Sequence, residues 1–424
     1  ESLSRELGHA PLLLAAYTMT IGDDELYVGM AGDGDEETDP WMQHDRSIQL
    51  LPYLLEKDSV TELDNNSSVL INDSNFYVDT SDEELLPAED YDFIVRMPCT
   101  PWYASSATAD EEARSWEATM TGSIIICCRP VGSVGGNVYG GGSGVYSPQG
   151  ETLQRLPFFE TAAKVVDISR PAVAKHLPQE EELMCGALER GIRDNVRNNG
   201  FTGVCIPMDD DNSALLAVLC IEALGVSNVS GISFDKENKL AAKLGISCFT
   251  PHTDDLQKAA TAALGGEEST PLLKRLQTAI GMTHAESRGI MLCSTLSRRQ
   301  IMLGEFCMYG ESGGHLAPLG NLYDVDIYLL SVYLREKYNH VFGALAEPPH
   351  GTTNRIIHEL ADLNTAPTEL LNAENNYLFK ENDVRLIQRK LLAAALKRTQ
   401  MPIILHVDAP SEQLAFPVTH RLND

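Results

Sequence analysis

Short apolar runs alternate with polar turns over roughly the first 170 residues. Six of these runs are rich in β-branched residues and bounded by Gly, Asp or Pro, which predicts strands. They are LLLAAYTMT, ELYVGMA, SSVLIND, DFIVRM, SIIICCRP and GSGVYS. Between the fourth and the fifth, ATADEEARSWEATMTG has acidic residues early and Gly at its end, which predicts a helix. This part of the chain therefore predicts an α/β domain.

The glycine-rich stretch GSVGGNVYGGGSG could be taken for a dinucleotide-binding loop. Such a loop follows a strand directly and opens a helix, and neither condition is met here. The pattern favours a turn-rich hairpin instead.

In the second half of the chain, apolar residues recur at the spacing of a helix over longer segments. LMCGALERGIRDNVRNNG predicts a helix ended by Gly, TGVCIPM predicts a strand, and DNSALLAVLCIEALG predicts the next helix. A strand, a tight loop and a helix typically open a doubly wound α/β domain. Further predicted elements are a strand at GIMLCST and helices at DIYLLSVYLREKYN, ELADLNTAPTELL and DVRLIQRKLLAAALKR. We predict domains at residues 1–170 and 181–424, with a linker at 171–180 that contains two prolines.

Composition narrows the function classes. A net charge of −29, from 61 acidic and 32 basic residues, argues against nucleic acid and anionic lipid as partners. No run of 18 apolar residues predicts a membrane span, and the first residues lack the basic flank of a secretory signal. The nine cysteines show no paired C-x-x-C spacing, which argues against a zinc site and favours core thiols in a reducing, intracellular compartment.

Several stretches in the second half resemble the synthetase domain of glutamine-dependent NAD synthetases. DNSALLAVLCIEALG is similar to the helix after that family's phosphate loop. The long stretch from GIMLCST to DIYLLSVYL resembles its longest motif region, and LKRTQMP and FPVTHR resemble its terminal motifs.

In the first half, YDFIVRMPCTPWYASS and SIIICCRPVGSVGGNVYGGGSGVYS resemble the nitrilase-type glutaminase domain that is fused to these synthetases. The resemblance implies an α-β-β-α sandwich that lacks its first strand and helix, followed by a doubly wound, Rossmann-like domain. It also implies ATP, Mg²⁺, deamido-NAD and glutamine as the family's ligands, and assembly into oligomers.

The family's glutaminase needs a Glu base, a Lys and a Cys nucleophile. Against its "ICED-x-W" motif, Asn72 stands at the Cys position, and Ile48 stands at the Lys position before Leu51-Pro52-Tyr53. The Glu belongs to the first strand, which we expect to be missing. Cys99, Cys127 and Cys128 could in principle replace the nucleophile, but we expect none of them to do so, because a thiolate needs a nearby base or cation.

The family's phosphate loop, Ser-Gly-Gly-x-Asp-Ser, corresponds to the segment from Met208 to Ser213, in which Asp209 and Asp210 replace the glycines and Ser213 is kept. The new carboxylates add bulk and negative charge where phosphate approaches. They could instead bind a divalent cation. We favour a structural role, in which the helix dipole stabilises the acids and Asn212 or Asp211 caps the helix.

Other positions matched to the family's synthetase site follow the same trend. Thr295 is kept, whereas Gln300 replaces a Glu ligand, Glu311 replaces an Asp and Asp324 replaces a Lys. We therefore expect no bound cofactor and no metal, and we interpret the chain as a pseudoenzyme in a homo-oligomeric or hetero-oligomeric assembly. The alternative is a divergent synthetase with residual or altered activity.

Overall fold

The protein is described by a computed structural model, which places the residues in the ranges 16–21, 24–31, 49–56, 59–62, 67–71, 74–80, 86–104, 106–164, 166–169, 177–267, 269–343, 348–349, 351–371 and 379–408. The chain divides into two compact units. The first contains Glu1–Gly132 and Tyr139–Leu177, and the second contains Ser133–Val138 and Pro178–Asp424.

The first unit opens with a four-stranded antiparallel sheet in which each strand pairs with the next. Its strands are β1 (Ala16–Ile21), β2 (Asp24–Ala31), β3 (Gln49–Glu56) and β4 (Ser59–Glu62). The first two confirm predicted strands. The third was not predicted, and it contains the Leu51-Pro52-Tyr53 segment.

A second sheet of the first unit has six strands in the order β12-β11-β8-β7-β6-β5. These are β5 (Ser67–Ile71), β6 (Ser74–Asp79), β7 (Phe93–Arg96), β8 (Ile124–Cys127), β11 (Gly144–Tyr146) and β12 (Thr152–Arg155). The central strands β6, β7 and β8 are parallel, whereas β5 pairs antiparallel with β6. The predicted helix is α1 (Ser106–Thr121), and it ends at Gly122, whose φ of 67° suits glycine.

The glycine-rich stretch forms the predicted hairpin, from β9 (Val131–Val134) and β10 (Asn137–Gly140). Its two-residue turn contains Gly135 with a φ of 57°. The tip belongs to the second unit, where the Asn195 side chain donates a hydrogen bond of 3.0 Å to the Gly135 carbonyl.

The second unit is built on a parallel sheet in the order β15-β14-β13-β16. These strands are β13 (Val204–Pro207), β14 (Val229–Ile232), β15 (Ser247–Phe249) and β16 (Met291–Leu292). The sheet opens at the predicted TGVCIPM strand, which confirms that prediction. Helices α2 (Glu180–Asn198) and α3 (Ser213–Leu224) flank β13 in the sequence, and eight of the 12 residues of α3 are buried.

The remaining elements of the second unit are mostly short helices. They are α4 (Leu240–Leu244), α5 (Asp254–Ala263), α6 (Thr270–Glu286), α7 (Arg298–Leu303), α8 (Asp324–Arg335), α9 (Asn339–Phe342), α10 (Thr352–Ile357), α11 (Pro367–Leu370), α12 (Glu381–Ala393) and α13 (Ala395–Arg398). Strands β17 (Leu316–Ala317) and β18 (Ile403–Ile404) form a small parallel pair. Among the helices in the described ranges, none is long and apolar enough to cross a membrane.

One predicted helix was wrong as a continuous element. ELADLNTAPTELL begins within one turn of π-helix, His358–Asp362, and then has an irregular segment before α11. Asn364 has a φ of 54° there, and Pro367 begins the next helix. A left-handed residue and a proline both interrupt helical hydrogen bonding, which explains the break.

Candidate functional site

A cleft lies at the carboxyl ends of β13, β14 and β16, where doubly wound domains bind their ligands. Its volume is about 90 Å³. The polar side chains along it come from the loop after β13, from α6, and from the segments after β16 and α7; they are Asp209, Asp210, Lys274, Gln277, Thr278, Ser294, Thr295 and Glu311. Four residues predicted from the sequence therefore meet in one cleft: Asp209, Asp210, Thr295 and Glu311.

The loop between β13 and α3 satisfies its own hydrogen bonds. The backbone N–H of Asp210 donates to Ser213 Oγ at 3.1 Å, and that of Asn212 donates to Asp210 Oδ1 at 2.9 Å. The Ser213 N–H donates to the Asp210 carbonyl at 3.1 Å, and the Ser213 hydroxyl donates to the Pro207 carbonyl at 2.7 Å. These N–H groups lie at a helix N-terminus, where they commonly bind anions. In this loop the acceptors are groups of the loop itself.

Asn212 occupies the N-cap position of α3, as one of the two predicted caps, but its side chain makes no capping hydrogen bond. Its amide instead donates to the Thr295 carbonyl at 2.9 Å. Asn212 is therefore the N-cap residue, as predicted, but its φ and ψ of −84° and −6° are helical, whereas a side chain that caps a helix comes from a residue with extended backbone. The Asn212 amide instead holds the β13 loop against the segment after β16.

The carboxylate of Asp209 is held by the segment that follows β14. It accepts hydrogen bonds from the Ser233 hydroxyl at 2.5 Å, the Phe234 N–H at 2.6 Å and the Asn238 amide at 3.0 Å. The same Asn238 amide donates to the carbonyl of buried Met208 at 2.6 Å. Asp209 thus links two loops at the mouth of the cleft.

Asp210 is half-buried, and burial raises the pKa of its carboxyl, while the Asn212 N–H and the Lys274 ammonium act in the opposite direction. The Lys274 ammonium also lies 3.4 Å from Glu311 Oε1. Glu311 accepts a second hydrogen bond, from the Cys307 N–H at 2.9 Å. The cleft therefore combines three carboxylates with one ammonium group among its described lining residues.

Lys274 was missed by the sequence analysis. It lies on α6, and Thr278 and Gly281, which also line the cleft, follow it at helical spacings of four and seven residues. That spacing places all three on one face of the helix. A polar face on a helix next to the β13 loop was the signal that could have identified this residue.

Gln300 and Asp324 do not line the cleft. Gln300 closes a capping box at the start of α7, where its side-chain oxygen accepts the Ser297 N–H at 2.9 Å. Asp324 accepts the Ser297 hydroxyl at 2.9 Å and pairs with the Arg299 guanidinium. Both side chains are thus engaged within the fold, near the beginnings of α7 and α8.

In the first unit, Ile48 and Asn72 lie outside the described residues. The strand before Asn72 is β5, at the edge of its sheet, where the Leu70 side chain is 70% exposed. The buried strand parallel to β7 is β6, which ends at Asp79.

A buried ion-pair network lies at the carboxyl ends of β6 and β7. The Arg96 guanidinium pairs with Asp79 and donates to Glu117 Oε1 at 2.8 Å through its Nε atom. Glu117 also pairs with Arg114, its neighbour on α1. All four side chains are at least 96% buried, and their formal charges cancel. Such a network is strongly destabilised when one member is removed.

The cysteines considered as nucleophiles lie in the same unit. Cys127 is buried at the end of β8, and Cys99 and Cys128 are half-buried. Burial, with a smaller effect from Cys127, raises the pKa of the Cys128 thiol to about 12. This thiol is therefore protonated at neutral pH, and the thiolate is the nucleophilic form.

Among the described residues, no group of three or more His, Cys, Asp or Glu side chains is placed to hold a metal ion. Asp209 and Asp210 turn toward different partners, the segment after β14 and the Asn212 N–H respectively.

Residues 184–341 match the sequence family described as NAD synthase. The chain is 28% identical to the glutamine-dependent NAD(+) synthetase of Rhodobacter capsulatus over 237 residues, which are 49% of this chain and 43% of the relative. It is 25% identical to the corresponding protein of Thermotoga maritima over 292 residues, which are 55% of this chain and 51% of the relative. The matches thus span about half the length of these curated relatives.

Two solved structures share the fold over most of the chain. The glutamine-dependent NAD(+) synthetase of Cytophaga hutchinsonii matches with a TM-score of 0.71 and 11% identity, covering 96% of this chain and 84% of that one. That of Acinetobacter baumannii, in complex with ADP, matches with a TM-score of 0.60 and 15% identity, covering 92% and 80%. These neighbours confirm the predicted fold class, a nitrilase-like domain followed by a doubly wound synthetase-like domain. Residues 184–341 therefore resemble the NAD synthase family in sequence, and the chain shares the fold of glutamine-dependent NAD(+) synthetases over most of its length.

Proposed function

We propose that this member of the NAD synthetase family has lost both of the family's reactions and acts as a structural or regulatory subunit of an oligomeric assembly. The observation that carries the proposal is the β13 loop. A loop that binds ATP must present its backbone N–H groups to phosphate oxygens. Here the N–H groups of Asp210, Asn212 and Ser213 donate to acceptors within the loop.

Charge supports the same conclusion. A like-charge pair about 4 Å apart costs roughly 1 kcal/mol in water and about 4 kcal/mol near a protein surface. A triphosphate in the cleft would face Asp209, Asp210 and Glu311, and Lys274 is the cation among the described lining residues. Lys274 already pairs with Glu311, so it offsets little of this repulsion. The residues present therefore do not fit ATP.

The first unit supports the loss of the glutaminase reaction. The sequence matches Asn72, an amide, to the family's nucleophile position, and Asp79 at the end of the neighbouring buried strand β6 is paired with Arg96. The thiol of Cys128 has its pKa raised to about 12 by burial. None of these groups offers the reactive thiolate that attack on an amide requires.

Positions that shape the fold are kept where the family's chemical positions are replaced. Gly304 ends α7 with a φ of 65°, and a Cβ atom there would lie 2.7 Å from the Cβ of Ala394. Only glycine suits both constraints. Selection for assembly with other subunits is expected to keep the residues that shape the fold while the residues that bind the family's ligands are replaced. This pattern supports a role for the chain as a subunit.

One observation favours the alternative, a divergent synthetase with residual or altered activity. The cleft is open at the expected edge of the sheet, and the Lys274 ammonium lies within it. A nucleotide that binds there would depend on this cation. Replacement of Lys274 by Ala therefore separates the two functions, because it abolishes a residual activity and leaves a subunit role unchanged.

Calorimetric titration of the 424-residue chain with ATP and Mg²⁺ tests the proposal. We expect no heat of binding, with an active glutamine-dependent relative titrated in parallel as the positive control. A dissociation constant below about 100 μM, which corresponds to more than about 5 kcal/mol of binding free energy, would contradict it. The subunit role is tested separately, by the proteins that co-purify with the chain in fixed ratio from native extract.

A further inference from the structure

The exposed side of α12 and α13 is both basic and apolar. The opposite side of α12 is buried in the second unit through Val384, Ile387 and Leu391. Five of the exposed residues recur at helical spacing along the two helices; they are Arg385, Leu386, Arg389, Ala393 and Leu396. The two leucines are 52% and 65% exposed. We call these five residues the α12–α13 face.

The charge of this part of the chain is opposite to that of the rest. Residues 384–407 contain five Lys or Arg and no Asp or Glu, whereas the whole chain carries −29. The other 400 residues therefore carry −29 − 5 = −34. Three of the five basic side chains donate to acceptors within the fold; they are Lys390, Lys397 and Arg398. The other two, Arg385 and Arg389, both lie on the α12–α13 face.

The two arginines of the α12–α13 face are available to a partner. Arg385 pairs with Glu381 one turn earlier, but these side chains are 57% and 62% exposed. An exposed pair of this kind contributes less than about 1 kcal/mol, so a better-placed carboxylate replaces it readily. Among the residues in the described ranges, none forms an ion pair with Arg389. A guanidinium binds a carboxylate through two parallel N–H groups, which suits both arginines to acidic side chains.

Charge and size together select the class of partner. A second copy of the chain that presented the same face would bring arginine against arginine, which is unfavourable. A nucleic acid strand or an anionic membrane extends past the face and meets the acidic surface of the remaining chain. A single acidic helix avoids both problems. A helix of similar length covers the face, since the 13 residues of α12 span about 20 Å.

We propose that the α12–α13 face binds an acidic amphipathic helix of a different polypeptide. The carboxylates of that helix pair with Arg385 and Arg389, and its apolar stripe packs on Leu386, Ala393 and Leu396. Arginine is enriched at protein interfaces and among the residues that contribute most to binding, which fits this arrangement. The inference deepens the proposed function, on which it rests, by naming the chemistry of one partner subunit.

Fluorescence anisotropy of the full chain with a labelled, helix-stapled peptide tests the inference. The probe is a peptide of about 16 residues, long enough to cover α12, with Leu at every third or fourth position and Glu beside them. We expect a dissociation constant below about 100 μM that rises with salt, because the charges are exposed. A scrambled peptide of the same composition lacks the apolar stripe and is expected to bind at least about tenfold more weakly.

Paired substitutions separate this face from the general effect of charge. Arg385→Glu with Arg389→Glu is expected to weaken peptide binding at least about tenfold. The matched control is Lys236→Glu with Lys258→Glu, which changes the net charge equally at lysines that are 61% and 78% exposed on other elements. This control is expected to change the affinity by less than about twofold, because salt screens charges outside the face. All four side chains are exposed, so circular dichroism should show both variants folded as the wild type is.

Several outcomes would overturn the inference. They are no binding by the wild-type chain, binding that survives the Arg385 and Arg389 changes, and an equal loss of binding in the lysine control. Tighter binding of phosphatidylserine vesicles or of a single-stranded oligonucleotide than of the peptide would also overturn it, and would assign the face to another class of partner. Native extract distinguishes the inference from the proposed function. A subunit that co-purifies equally with the wild type and with the arginine variant would refute the inference and retain the proposed function.

Discussion

The Oδ1 atom of Asp210 lies 2.9 Å from the backbone nitrogen of Asn212 and accepts its hydrogen bond. The carboxylate thus takes the position that an external anion takes at the start of a helix. Asp210 therefore opposes an anion in this loop in two ways: its negative charge repels the anion, and its oxygen already accepts the Asn212 N–H. Substitutions can separate these two effects.

Asparagine and glycine variants of the loop distinguish the two effects. Asp209→Asn with Asp210→Asn removes both charges but keeps a side-chain oxygen that can accept the Asn212 and Phe234 N–H groups. Asp209→Gly with Asp210→Gly removes the charges and the acceptors. If side-chain acceptors that occupy the loop N–H groups hinder ATP, the glycine pair binds ATP at least about tenfold more tightly than the asparagine pair, as calorimetry would measure. Equal affinity of the two pairs would show that charge alone is the obstacle.

Glutamine hydrolysis is expected to be absent. Cys128 is protonated at neutral pH because burial raises its pKa to about 12, and Cys127 is buried. Ammonia release from glutamine should match that of a heat-inactivated sample. Mass spectrometry after incubation with a glutamine-analogue electrophile should find no labelled cysteine. Labelling of Cys99, Cys127 or Cys128 that glutamine prevents would overturn this prediction.

The buried network in the first unit is expected to be essential for its stability. Glu117→Gln leaves Arg96 and Arg114 without their shared carboxylate, and removal of one partner from a buried pair costs about 3–5 kcal/mol. Trp102 and Trp116 lie in this unit, and residues 133–138 and 178–424 of the second unit contain no tryptophan, so tryptophan fluorescence reports unfolding of the first unit in denaturant.

Glu112 provides the matched control for this network, because it lies on the same helix and is exposed. Glu112→Gln is expected to change the free energy of unfolding by less than about 0.5 kcal/mol. Similar effects of the two substitutions would contradict the account of the network.

Glu189 is expected to make the second unit less stable as pH rises. Burial, together with nearby Glu222, raises the pKa of Glu189 to about 7, whereas the unfolded chain has a value of about 4.3. Between these two values the folded chain binds more protons than the unfolded chain, so the free energy of unfolding falls with increasing pH.

Glu189→Gln removes this effect. We expect the variant to gain on the order of 1–3 kcal/mol over the wild type at pH 8, and clearly less at pH 5.5, in denaturation followed by circular dichroism. Glu182→Gln, at an exposed position on the same helix, controls for the general loss of negative charge. A gain in the free energy of unfolding of Glu189→Gln that is the same at both pH values would contradict the raised pKa of Glu189.

The sequence predicted those helices and strands whose apolar residues form a local run with clear ends. The α3 helix was predicted because its continuous apolar run is bounded by Asn212 and Gly225, and β13 because TGVCIPM is apolar and short. The sequence did not predict β6, since SNFYVD is polar at both ends, and its burial comes from neighbouring strands that pair with it across the sheet. Strand pairing is a long-range property that a local pattern does not contain.

The candidate site was predicted in part. Spacing against the family's motifs identified Asp209, Asp210, Thr295 and Glu311, which lie together in the cleft. Lys274 was missed because it reaches the cleft from a helix far away in sequence. The roles of Gln300 and Asp324 in helix capping and in an ion pair depend on partners at Ser297 and Arg299 whose geometry only the folded chain defines.

The formation of NAD from deamido-NAD, ATP and Mg²⁺, with ammonia as the nitrogen source, tests the central claim most directly. Free ammonia bypasses the glutaminase unit, so the assay depends only on the cleft that contains Asp210 and Lys274. The account predicts no NAD above a sample without protein, while an active relative turns over under the same conditions. Steady turnover by the wild-type chain that is lost in Lys274→Ala would contradict the account and establish a divergent synthetase.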